Sequence, residues 1–299
     1  MVAYAPCAPF GKTLATRGAA RAIRYAPAPR AILARVVAKA SKPSWTSPLR
    51  LYLTGRVMAE RDGRVVDEKR LPGRQGPVAL VFLALERARP VPIDELADAV
   101  WGEELPRAWE AALSAIVSKL RTALSEVGLD AHRSITTVSG RYQLTLPANT
   151  WVDVEAARVA LDEAEGRVRA SRFRDAWGPG NVAASIANRV LLAGVDAEWA
   201  ERARQALRSV RVRALSCLAS AALANTEWPL AAQFARTQVE LEPFRETGWQ
   251  QLLRALAGAG NRAEALRAYA ECRALLAKEL GVPPSPETEA IVKGLRAAR

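Results

Sequence analysis

Ser114, Ser118, Lys119 and Thr122 fall on one side of a helical stretch over 108–127, together with Ala111 and Ala115 and with Arg121 at the flank. Small polar side chains allow a helix to come close to base edges, and an ammonium such as that of Lys119 can reach a guanine edge. The chemistry this pattern could do is recognition of nucleic acid, although taken alone it equally describes an ordinary solvated face. The remaining chemically capable residues are poorly grouped. The one histidine, His132, lies between a helix and a hairpin and is expected to be an exposed loop residue. Cys7, Cys217 and Cys272 lack the paired spacing of a zinc site or a disulfide framework, which suits a reduced compartment. Glu103-Glu104 and Asp162-Glu163 are paired acids with no partner brought near them. Gly11-Lys12-Thr13 fails as a phosphate loop because Pro6 stands where its first glycine is required. We therefore expect no catalytic residues, no metal and no cofactor, and a protein that is not an enzyme.

The elements that must carry the polar face are legible by period. Leu113, Val117, Leu120 and Leu124 recur at four, three and four residues, which puts them on a core-facing stripe opposite it. Upstream, PIDELADAVW predicts a shorter helix, and Gly102–Pro106 a tight turn between the two. Trp101 and Trp109, flanking that turn, are expected to pack rather than to stack on bases. About ten residues after the second helix, SITTVSGRYQL (134–144) has the two-residue period of a hairpin. Helix, turn, helix, hairpin is the order of a winged helix-turn-helix, whose second helix enters the major groove. Thr137 and Arg141 of the hairpin join the candidate DNA-facing residues. Ahead of this, LRLYLTGRVMAE and RVVDEKRL predict short strands about an Asp62-Gly63 turn, and PVALVFLALERA a buried central helix starting near Pro77.

Charge does not decide the matter. The chain of 299 residues carries a net +12, yet residues 1–48 hold eight Lys/Arg and no acid, whereas 49–150 hold 14 basic and 13 acidic groups. The excess sits mainly in an Ala/Pro/Arg-rich tail that we expect to be disordered, with one basic amphipathic stretch at Arg30–Lys39. That tail has the charge of a transit peptide and lacks the apolar region of a secretory signal; an upstream start codon would produce it equally well. No apolar run reaches the ~18 residues of a membrane span. A cytoplasmic location is expected, without membrane partners.

The C-terminal half reads as helical throughout. From about 212 it repeats at 34 residues, Leu215 with Trp249, Leu218 with Leu252, Ala222 with Leu256 and Ala231 with Ala265. That period marks stacked helical hairpins of tetratricopeptide type; Gly260 and Tyr269 fit the second copy, while the first is degenerate. Such an array presents a surface to other proteins, or docks on the N-terminal half. The expected fold is mainly α with a small β part. It comprises a basic tail (1–48), an α+β winged helix-turn-helix domain (49–147) and an all-α tetratricopeptide-like domain (151–299).

With both halves in view, the chain resembles the SARP-type bacterial transcriptional activators, in which an OmpR-like winged helix precedes a bacterial transcriptional activator domain. Asp62-Gly63, Arg74-Gln75, Leu96–Trp101-Gly102, Ala112-Leu113, Val117–Arg121, Ala123-Leu124, Gly140 and Tyr142 carry the resemblance in the first half. Val152-Asp153, Glu279-Leu280-Gly281 and Pro284–Glu287 carry it in the second. It covers roughly 49–295. It implies a sequence-specific activator that binds double-stranded promoter repeats as a head-to-tail homodimer and recruits RNA polymerase. It places Lys119 at a base-contacting position, Arg121 at a phosphate-contacting one and Arg74 against the DNA backbone. Glu103, Glu104 and Leu105 fall in the loop that touches polymerase. Lys119 stands where an arginine is usual, which gives a point charge in place of a bidentate fork. Arg141 interrupts the common Gly-Tyr of the wing, and 171–200 matches only loosely around Trp177-Gly178. The sparse charge of the helix keeps open a second function, a helical-repeat adaptor with weak or lost DNA binding.

Overall fold

The computed structural model describes residues 45–297; the expectations for the basic tail, its amphipathic stretch and Cys7 lie outside the described residues. The chain opens with β1 (Arg50–Tyr52), β2 (Met58–Arg61) and β3 (Arg64–Val66), antiparallel in sequence order. Asp62 and Gly63 take φ of 48° and 77° between β2 and β3. Both central residues of a turn that matches strand twist require positive φ, which is why Asp-Gly stands there. The Asp62 carboxylate also ties the incoming chain, accepting from the Thr46 and Ser47 amides at 2.8 and 2.9 Å.

Helix α1 (Gln75–Leu85) is apolar on all sides, and Val78 through Ala84 are all buried. It is the central element against which α2 (Ile93–Trp101) and α3 (Trp109–Ser125) pack. β5 (Ile135–Val138) and β6 (Arg141–Leu144) form the expected hairpin. A short β4 (Val91–Pro92), which the sequence did not announce, pairs with β6 to complete a three-stranded sheet of order β4-β6-β5. It also carries the chain directly into α2, so wing and helix-turn-helix share a backbone junction.

β7 (Trp151–Val152) follows and pairs in parallel with β1, giving the first sheet the order β3-β2-β1-β7. Helices α4 (Asp153–Arg169), α5 (Phe173–Ala187), α6 (Glu198–Ala224), α7 (Trp228–Leu241), α8 (Glu246–Gly258), α9 (Arg262–Leu280) and α10 (Pro286–Ala297) complete the chain. Consecutive helices from α4 to α9 pack on each other, as stacked hairpins must. The eight residues aligned by the 34-residue repeat are all buried. Gly258 shows why close approach matters here. A Cβ at that position would meet the Trp228 ring at 2.6 Å.

Pro179 lies inside α5 and has no N–H for the carbonyl one turn back, that of Asp175. Arg167 of α4 supplies the missing donor, its Nη1 lying 2.6 Å from the Asp175 oxygen. A proline inside a helix is thus accommodated by a neighbour.

The two halves share one core. Buried side chains run without a break from Leu49 and Leu51 through α1–α3 to Val152, Leu161, Ile186, Leu207 and Ala214, and a second cluster begins at Ala222. Asp153, fully buried at the start of α4, binds the end of β1. Its Oδ1 accepts from the Leu53 and Val154 amides, and its Oδ2 from the Thr54 amide and hydroxyl, at 2.7–3.0 Å. Trp199 of α6 reaches in the opposite direction. Its indole N–H donates to the Ala99 carbonyl at the end of α2 (3.1 Å), and its ring meets Phe82 of α1 edge-on with centroids 5.0 Å apart.

Candidate nucleic-acid interface

α3 presents two faces, as its period requires. Leu113, Val117, Leu120 and Leu124 are buried, while Ser114, Ala115, Ser118, Lys119 and Thr122 are exposed. The structure therefore brings four of the expected DNA-facing residues onto one solvent face. The Thr122 hydroxyl donates back to the Ser118 carbonyl (3.2 Å), which fixes its rotamer along the helix. Trp101 and Trp109 are half-buried against the core, as packing residues.

Arg121 is placed differently from a free phosphate ligand. Its Nε donates to the Ile135 carbonyl and its Nη2 to the Thr137 hydroxyl, both at 2.8 Å. Two of its five N–H donors are spent on the hairpin, so the guanidinium joins α3 to β5, and any phosphate contact must use the three that remain. Thr137 accepts that bond and keeps its hydroxyl proton for another partner. Behind them Tyr142 is buried, and loss of solvent raises its phenol above the usual range. Arg141 is exposed on β6, beside the Ser139-Gly140 turn whose residues take φ of 50° and 69°.

At the base of the hairpin, Asp130 accepts from the backbone amides of His132 and Arg133, and these bonds hold its carboxyl below the ordinary carboxylate range. His132 is exposed in that turn. Sequence reasoning passed over two cations near the exposed face, Arg107 just before α3 and Arg133 just before β5, both exposed. Their signal was charge alone, in segments without period.

Arg74 stands apart from the α3 face. It is exposed at the N-cap of α1 and lines a groove of about 970 Å³ with Trp101, Glu103, Leu105, Asp196 and Trp199. Glu103, Glu104 and Leu105 are exposed in the turn between α2 and α3, with Leu105 at 42%. Gly102 opens that turn at a φ of 61°, its N–H closing α2 on the Asp98 carbonyl (2.8 Å). Glu103 and Leu105 of this loop thus line one groove with Arg74, at the junction of the two halves. Among the described residues no three His, Cys, Asp or Glu side chains are grouped to hold a metal ion, and no helix is long and apolar enough to cross a membrane.

Residues 152–296 match the bacterial transcriptional activator domain. Regulatory protein AfsR of Streptomyces coelicolor is 33% identical over 244 residues, 80% of this chain but 23% of its own length. Regulatory protein DnrI of Streptomyces peucetius is 27% identical over 253 residues, 79% of this chain and 88% of DnrI. Among solved structures, Mycobacterium tuberculosis EmbR in complex with a low-affinity phosphopeptide superposes with a TM-score of 0.74 at 26% identity, over 83% of this chain and 65% of that one. The chain thus spans about a quarter of AfsR and about two thirds of the solved EmbR. Residues 152–296 thus carry a bacterial transcriptional activator domain behind a winged helix-turn-helix, and along about four fifths of its length the chain is similar to bacterial regulatory proteins of the SARP type.

Proposed function

We propose that this chain activates transcription by binding promoter DNA through α3 and the wing and by offering the 102–106 loop to RNA polymerase. The observation that carries the reading is the α3 face. Ser114, Ser118, Lys119 and Thr122 are exposed on a helix whose opposite stripe is buried and whose flank is clamped to the wing by Arg121. Lys119 is assigned to a base edge. Thr137, Arg141, Arg74 and the remaining donors of Arg121 are assigned to phosphates, which position a protein without reading sequence. DNA would repel Glu103 and Glu104, so their place is toward a protein. The relatives are regulatory proteins, which supports a role in transcription rather than in catalysis.

The test is operator binding followed across salt. A phosphate-contacting activator loses roughly 0.9 log units of affinity per log unit of salt for each phosphate neutralised. Lys119→Ala should cost about 1–3 kcal/mol and blur preference at one base pair; an unchanged preference pattern would remove Lys119 from base reading. Replacing Glu103 and Glu104 with alanine should keep operator affinity and lower transcription at equal promoter occupancy. The stoichiometry on a two-repeat operator tests the pairing of copies that the resemblance implies. An adaptor without DNA affinity would show no salt-dependent complex at all.

A further inference from the structure

The helical half contains a second polar site that the DNA reading leaves unused. Between the end of α4, the middle of α6 and the α7–α8 connection lies a cleft of about 300 Å³, lined by Glu165, Arg169, Arg213, Ser216, Ser220 and Arg245. Arg213 holds Glu165 in a bidentate pair, Nε and Nη2 each 2.8 Å from a carboxylate oxygen. Arg169 lies 3.8 Å from the same carboxylate. Arg245 is exposed and, among the described residues, makes no side-chain hydrogen bond or ion pair, though it is close enough to help depress the Glu165 carboxyl. One guanidinium suffices to neutralise Glu165, and three surround it. Asp162, outside the cleft, also acts on Arg213, and the lining still carries an excess of positive charge.

The two serines of the cleft are held by a buried amide pair. Gln238 and Gln251 are 2% and 5% exposed inside an otherwise apolar helical stack, where a leucine would avoid the cost of burying an amide. Gln238 Nε2 donates to Gln251 Oε1 (2.8 Å). Gln251 Nε2 in turn donates to the Ser216 carbonyl (3.0 Å), the Ser220 hydroxyl (2.9 Å) and, more weakly, the Ser216 hydroxyl (3.3 Å). Both serine oxygens are thereby used as acceptors. Neither hydroxyl donates elsewhere among the described residues, so their protons are left to the cleft. The lining offers guanidinium and hydroxyl donors around an acid already neutralised, which is the donor set of an oxyanion site.

We propose that this cleft binds an acidic peptide segment of a protein partner, seating one carboxylate or phosphate group between Arg245, Arg169 and the hydroxyls of Ser216 and Ser220. The site is independent of Lys119 and of any base reading. The experiment is fluorescence anisotropy of the whole chain with three fluorescein-labelled peptides: alternating Glu and Ala, the same with one phosphoserine, and a Gln-for-Glu control. Both acidic peptides should bind, weaken with salt and leave the Gln peptide unbound. The tighter of the two identifies the oxyanion. Arg245→Ala should weaken acidic-peptide binding about tenfold, the effect of one charge-assisted bond, while leaving melting temperature and operator affinity unchanged. Ser216→Ala with Ser220→Ala provides a second, charge-neutral variant with a loss of the same sign. Equal binding of the Gln peptide, or full affinity in both variants, would overturn the proposal. A parallel loss of DNA affinity in Arg245→Ala would overturn it too, by giving the cleft to the phosphodiester backbone.

Discussion

Asp153→Asn should be the most damaging isosteric change in the chain. The carboxylate is fully buried and satisfies four donors, the amides of Leu53, Thr54 and Val154 and the Thr54 hydroxyl. Asparagine keeps the volume but has one oxygen. Two of the four donors lose their acceptor and face an NH₂ group that is itself a donor. Hydrogen bonds to a charged group contribute about 1.5–3 kcal/mol each, so the loss of two amounts to about 3–6 kcal/mol, comparable with a large share of the 5–15 kcal/mol that typically holds a domain together. The damage should spread to both halves, because Asp153 joins the end of β1 to the start of α4 inside a continuous core. Urea unfolding followed by helical circular dichroism and by tryptophan fluorescence measures this, with exposed Asp196→Asn as the control. The expected result is a midpoint shift seen alike by both probes. A loss below about 1 kcal/mol, or unfolding of the N-terminal half alone, would refute the view of Asp153 as the bolt between them.

Removing the Arg121 clamp by Arg121→Ala should speed hydrogen exchange at the amides of β5 and β6 while sparing α3. It should weaken operator and random DNA alike, and unchanged hairpin exchange would show that the clamp carries no load. Glu246 gives a pH prediction. Burial raises its carboxyl, but bonds from the Thr288 hydroxyl and from the Ser285 amide and hydroxyl outweigh this and bring it below its ordinary 4.5. A lowered folded value means stability fully present above pH 4.5 and lost as pH falls below it through the folded value. The amides of α10 should therefore lose protection in acid, and Glu246→Gln should flatten that dependence. Burial also pushes the Cys217 and Cys272 thiols up to about 11 and about 12. Both should resist iodoacetamide at pH 8 in the native state and react once unfolded; native-state labelling of either, read by peptide mass spectrometry, would contradict their burial.

Sequence alone determined whatever depends on neighbours within a few residues or on a fixed period. The stripe of Leu113, Val117, Leu120 and Leu124 told α3's inside from its outside, because 3.6 residues make a turn whatever lies opposite. Asp62-Gly63 specified its turn because few residues tolerate positive φ, and the 34-residue repeat placed Trp249 and Leu252 in the core. The candidate face followed from the same periodicity, although its chemistry did not. Tertiary structure decided what depends on partners far away in the chain. The parallel pairing of β7 with β1, the Asp153 bolt and the insertion of Trp199 between α1 and α2 each join residues about 100 apart. No local pattern encodes such contacts, since side-chain type fixes what can bond and only the fold fixes with what. Arg121 shows this most clearly. As a letter beside Lys119 it is a second cation for DNA, and only the packing of the hairpin shows two of its donors already committed to Ile135 and Thr137. The cleft of Arg169, Arg213 and Arg245 is the same lesson, three unremarkable arginines on separate elements that acquire one chemistry when the helices stack.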